Sequence, residues 1–117
     1  MKNIYKIILV LSIIILTFHL YSIVTIKNDV HIIYVDKIPG KIMAMTIPPF
    51  GIFLEKKYKN EPIMPGSILS HEKIHWLQYQ ERGLFKFYFE YISGLIKYGR
   101  FYNDLEKDAR KRSMEKL

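Results

Sequence analysis

The apolar positions of this chain fall into three regimes. From residue 7 to 26 they are almost continuous, IILVLSIIILTFHLYSIVTI, without one formal charge. Twenty such residues rise about 30 Å as a helix, enough to cross the hydrocarbon layer of a bilayer. The stretch is apolar on every face, so it predicts a spanning helix rather than a buried soluble one. From 28 to 66, short β-branched and aromatic runs alternate with proline and glycine. HIIYV at 31–35, IMAMTI at 42–47 and GIFLEKKY from Gly51 predict strands, broken by the DKIPGK turn and by Pro48 and Pro49. KNEPIMPG at 59–66 reads as a loop. From Ser67 the period becomes helical. A first helix covers 67–82 and stops at Gly83, an aromatic second covers 84–98 and stops at Gly99, and a third begins near Asn103. The pattern predicts an α+β chain. It has an anchor at 1–27 and one small domain at 28–117, with a small antiparallel sheet followed by three helices.

Charge adds an orientation. Lys2 and Lys6 precede the apolar stretch, whereas Lys27 and Lys37 beyond it are interleaved with Asp29 and Asp36. By the positive-inside rule the N-terminus stays inside and the domain lies outside the cytoplasm. Leu20, Tyr21, Ile23 and Val24 are poor neighbours for signal cleavage, which favours an uncleaved anchor. His19 reads as a tolerated neutral histidine near the far interface. The chain carries +7; with two of its 18 basic residues before the stretch, 16 against 11 acidic ones leave the domain at +5. That balance suits an anionic membrane surface. No nucleic-acid motif accompanies it, and nucleic acid is not an expected partner. With no cysteine in the chain, any metal must be held by histidine and carboxylate.

Candidate chemistry concentrates in SHEKIHWLQYQE at 70–81. His71 and His75, four positions apart on a helix, project from one face and can reach one ion at about 2.0–2.1 Å. Glu72 is rotated about 100° from His71. It therefore lies beside the ion's open position, where it can take a proton from a zinc-bound water and pass it to a leaving amine. A hydrolytic zinc wants a third protein ligand. Glu81 is about 15 Å along the axis from His71 and cannot reach. Glu90 is possible, and Glu106 in NDLEKDAR is the better candidate if the third helix packs on the first, with Ala109 permitting close approach. The bland alternative for Glu106 is a capping box with Asn103 or an ion pair with Arg110.

His71-Glu72-x-x-His75 followed by Glu106-x-x-Ala109 resembles the gluzincin branch of the zincin metallopeptidases. Residues 40 to 112 also resemble small HExxH proteins of phages and bacteria. The resemblance implies His71, His75 and Glu106 as zinc ligands and Glu72 as general base. It also implies a strand above the active-site helix, here 42–47 or 51–57, that pairs with an extended substrate. Many gluzincins place an aspartate after the alanine to orient a ligand histidine. Position 110 here is arginine, which leaves Asp108, Asn103, Asp104 or Gln78 for that role.

Tyr98 and Tyr102, just before the third helix, are candidates to stabilise an oxyanion, with packing the simpler reading. Trp76 and Tyr79 read as packing residues and His31 as a strand-edge surface residue. The phenylalanines of the second helix read as core, with a membrane-facing patch as the alternative. The expected function is a membrane-anchored zinc metallopeptidase acting on a peptide or protein. The alternatives are a non-catalytic zinc-stabilised domain and a metal-free membrane-surface module.

Overall fold

A computed structural model describes residues 2–40 and 42–115. Helix α1 (Lys2–Thr25) is followed by strands β1 (Ile32–Val35), β2 (Ala44–Ile47) and β3 (Gly51–Glu55), a 3-10 turn at Lys56–Tyr58, and helices α2 (Ile68–Arg82), α3 (Leu84–Tyr102) and α4 (Asp104–Glu115). The α+β expectation holds, and α1 is long and apolar enough to cross a membrane. Two hydroxyls in its middle are satisfied within the helix. Ser12 donates to the Ile8 carbonyl at 2.8 Å and Thr17 to that of Ile13 at 2.7 Å. Such internal pairing lowers the cost of placing these two hydroxyls in lipid.

The expected antiparallel sheet is instead mixed. Its order is β1-β3-β2, with β1 parallel to β3 and β2 antiparallel to it. β2 and β3 form the hairpin that the short Pro48–Phe50 connection requires. The connection at 36–43 is long enough to carry the chain across the interposed β3, about two strand spacings of 4.8 Å. It is therefore not a hairpin turn. The buried Glu55 carboxylate secures that crossing by accepting from the Ile38 amide at 3.0 Å. Gly51 makes the parallel pairing possible. Its φ is +142°, and a Cβ there would lie 2.3 Å from the His31 carbonyl oxygen, which accepts from the Ile52 amide at 2.8 Å. His31 itself is exposed, just before β1.

α2 starts and stops where the sequence predicts. The Ser67 hydroxyl accepts from the Ser70 amide at 3.2 Å, and Gly83 ends the helix at φ 89°. α3 breaks at Gly99, where φ 76° and ψ 174° are not helical, before a last short turn. The fully buried Asn103 joins α3 to α4. Its Oδ1 accepts from the Leu105 amide at 3.0 Å while its Nδ2 donates to the Tyr91 carbonyl at 2.8 Å. Asn103 thus caps α4 without Glu106, and Arg110 donates to the Phe101 carbonyl at 2.6 Å. Glu106 is left free to point elsewhere.

Trp76, Tyr79, Phe87 and Leu105 form the helical core, as expected for Trp76 and Tyr79. Phe85 and Phe89, expected in the core, are exposed. The end of α1 joins the domain: Ser22 is buried and hydrogen-bonded to the Tyr79 hydroxyl, and Gln80 donates to the Ile26 carbonyl at 2.8 Å. Ile26 and Val30 pack against the same core.

Candidate metal and catalytic site

α2 and α4 pack together, and Ala109 of α4 is fully buried. That packing brings Glu106 to the two histidines. The His71 Nε2 lies 3.6 Å from Glu106 Oε2, and the His75 Nε2 touches Glu106 Oε1. The two imidazoles meet edge to face with centroids 4.8 Å apart. Ligand atoms of His71, Glu72 and His75 also lie within 4.8 Å of one another. Two ligands on one tetrahedral zinc stand about 3.4 Å apart, so the His71–Glu106 separation fits a shared ion.

The chemistry of the donor set fits as well. Two carboxylates and two imidazoles meet at a largely buried place, which a cation would compensate. Burial alone would raise the Glu106 carboxyl, but hydrogen bonds with His71 and His75 outweigh it and hold the group well below the carboxylate range. Burial would lower His75, yet the Glu106 and Glu72 carboxylates raise it. Glu72 is raised, chiefly by burial, against the opposing pull of His75 and a hydrogen bond from Thr46.

Gln78 orients the buried histidine. Its Oε1 faces His75 Nδ1 at 2.8 Å, while its Nε2 donates to the Leu105 carbonyl at 2.9 Å and to Asp108 Oδ2 at 2.8 Å. With the amide nitrogen committed, only the oxygen can meet His75. The Nδ1 therefore carries a proton, which leaves the Nε2, facing Glu106 and the open space beside it, as the nitrogen that would offer its lone pair to an ion in place of its own proton. Among the four residues left open for this role, Gln78 touches the histidine and Asp108 holds Gln78. Asn103 caps α4 instead, and Asp104 is exposed.

Glu72 is positioned from the sheet. The Thr46 hydroxyl lies 2.9 Å from Glu72 Oε1 and 3.0 Å from the Glu72 carbonyl. Of the two strands proposed to lie over α2, β3 is central and β2 is the free edge beside the site. Met43 O accepts from the Glu55 amide at 3.1 Å. By the alternation of antiparallel ladders, Ala44 and Thr46 then turn their backbone groups outward, along a cleft of about 570 Å³. The cleft is lined by β2, the two histidines, Glu72 and Glu106, and by Tyr88, Tyr91, Leu95 and Arg100 of α3.

Several expected residues lie elsewhere. Glu90 pairs with Arg82 at 2.5 Å and Glu81 with Arg112 at 3.0 Å. Tyr98 and Tyr102 are exposed and do not line the cleft. The tyrosine at the site is Tyr91, whose ring lies 6.0 Å from that of His75. Burial and the Glu106 carboxylate push its hydroxyl up to about 12, so it stays protonated. Neither Thr46 nor Tyr91 carried a sequence signal, because each is placed by tertiary packing and not by spacing. Lys73, inside the motif, is exposed to solvent. Comparison with protein-family models, curated proteins and solved structures finds no match to this chain.

Proposed function

We propose that this chain is a membrane-anchored zinc metallopeptidase of the gluzincin kind, with His71, His75 and Glu106 as ligands and Glu72 as general base. The observation that carries the reading is the convergence of His71, His75 and Glu106, with Glu72 alongside, held by Thr46. Zinc held there would supply the Lewis acidity that polarises a water and the scissile carbonyl. The rest falls to the chain itself. The outward backbone groups of Ala44 and Thr46 would take an extended peptide as an added strand. Glu72, raised by burial, would accept the proton of the attacking water and return it to the leaving amine. Tyr91, protonated and in the cleft, would donate to the developing oxyanion. α1 would span the bilayer with its lysine-bearing end inside, leaving the domain outside the cytoplasm.

The test uses the zinc-loaded full chain in detergent on a mixed peptide library, with a chelator control. Glu72→Gln keeps size and removes the base, so cleavage should fall by at least about 10²-fold. Equal cleavage by both proteins refutes the mechanism. The tie that His71, His75 and Glu106 make between α2 and α4 also favours a second reading, zinc as a structural staple. Zinc binding without any hydrolysis by the wild type selects it.

A further inference from the structure

α1 docks on the domain before it ends. Phe18 and Tyr21 pack on Phe50 with ring centroids 5.5 and 6.3 Å apart, His19 packs on Phe85 at 5.0 Å, and Ser22 is buried against Tyr79. These residues belong to the uncharged stretch 7–26. The undocked part, 7–17, rises only about 16 Å, roughly half of the ~30 Å hydrocarbon layer. A bilayer crossed by α1 must therefore reach over residues 18–26. Leu20, Ile23 and Val24, exposed on the free side of that segment, would face lipid. The domain surface at Phe50 and Phe85 then sits at membrane depth.

α3 begins at this contact. Phe85, Phe89, Ile92 and Ile96 are spaced by four, three and four residues, so they share one face of the helix. They are 55%, 74%, 51% and 79% exposed. At about 100° per residue, the exposed Lys86 and Lys97 border this stripe on one side. The cleft-lining Tyr88, Tyr91 and Leu95 border it on the other. An uncovered apolar stripe flanked by lysines and continuous with a spanning helix has the make-up of an interfacial helix. The domain's positive balance suits anionic headgroups.

We infer that α3 lies in the membrane–water interface, with Phe85, Phe89, Ile92 and Ile96 immersed in the bilayer, so that the cleft opens alongside the lipid surface. The occupant of the stripe is lipid. The inference rests on α1 spanning the membrane. Under the peptidase reading, the substrate is then a membrane-proximal peptide segment that reaches the edge of β2 along the bilayer.

The chain contains no cysteine, so single introduced thiols can be labelled cleanly. Full-length Leu11→Cys, Phe89→Cys, Ile96→Cys and Lys107→Cys would each carry a fluorophore in vesicles of phosphatidylcholine and phosphatidylglycerol. Quenching by spin-labelled lipid and by aqueous iodide is then read at each position. Positions 89 and 96 should be quenched by lipid several-fold more than 107, approaching position 11, and shielded from iodide. Strong lipid quenching at 11 with none above the level of 107 at 89 and 96 overturns the interfacial helix and leaves the anchor standing. Weak quenching at 11 as well overturns both. Disulfide formation between unlabelled thiols at 89 without lipid quenching assigns the stripe to a second copy, and equally overturns the inference. Neither zinc nor hydrolysis enters these readings, so the metal site is judged separately.

Discussion

Gln78→Leu removes a side chain that acts on the site without entering it. The amide makes three hydrogen bonds, to His75 Nδ1 at 2.8 Å, the Leu105 carbonyl at 2.9 Å and Asp108 at 2.8 Å. Leucine keeps much of the volume and none of the bonds. Leaving His75 Nδ1 buried without a partner costs about 1–3 kcal/mol, and the two other lost bonds about 1 kcal/mol each. Stability should fall by roughly 3–5 kcal/mol, so binding must be measured on protein shown to be folded. The second consequence concerns the ion. Without Gln78 Oε1, nothing holds the proton on Nδ1, and the Nε2 lone pair is no longer assured. Loss of such an outer partner weakens metal binding about 10–100-fold, or about 1.4–2.7 kcal/mol. Competition with a chromophoric chelator, on the full chain in detergent, measures it. Gln78→Glu is the contrast. It keeps an acceptor for His75 but sets an oxygen against the Leu105 carbonyl and Asp108, so stability should drop while zinc affinity holds. Folded Gln78→Leu binding zinc within about threefold of the wild type would refute the reasoning.

Two further outcomes follow from the geometry. Because the neighbouring carboxylates raise His75 above its ordinary 6.5, a proton competes with the ion from a higher pH. Zinc affinity should begin to weaken above that value on acidification, then fall at least about tenfold per pH unit, in titrations from about pH 8 to 5; a plateau persisting below 6.5 contradicts this. Gly51→Ala must fit a Cβ 2.3 Å from the His31 carbonyl at a φ of +142°, so it should cost at least about 2 kcal/mol and lower the thermal midpoint. An unchanged midpoint would mean that β1 does not pair as described.

What the sequence could show was whatever is set by local spacing. An uncharged run marks α1 by length alone, and Ser67, Gly83 and Gly99 mark helix ends because their backbone preferences act locally. His71 and His75 share a face whatever surrounds them. Glu106 was reachable because a hydrolytic zinc needs a third ligand and Glu81 lies too far along α2, whereas Glu90 stayed open until the structure paired it with Arg82. The strand order was not legible. A loop of eight residues at 36–43 serves a hairpin or a crossover equally well, and only Gly51 against His31 decides between them. Thr46 and Tyr91 were missed because their roles depend on which edge of the sheet covers α2 and how α3 is rotated. The aromatic run in α3 read as core because phenylalanine usually is. Phe87 follows that rule, whereas Phe85, beside the docked end of α1, and Phe89 are exposed.

The central claim is that Glu106, and not Glu72, completes the metal site. Both carboxylates stand close enough to His75 for either to serve. Zinc per chain, measured on dialysed full-length Glu72→Gln and Glu106→Gln beside the wild type, separates them most directly. The account predicts about one zinc for the wild type and for Glu72→Gln, and a sharp loss for Glu106→Gln. Full zinc in Glu106→Gln with loss in Glu72→Gln would make Glu72 the ligand and leave the site without its base.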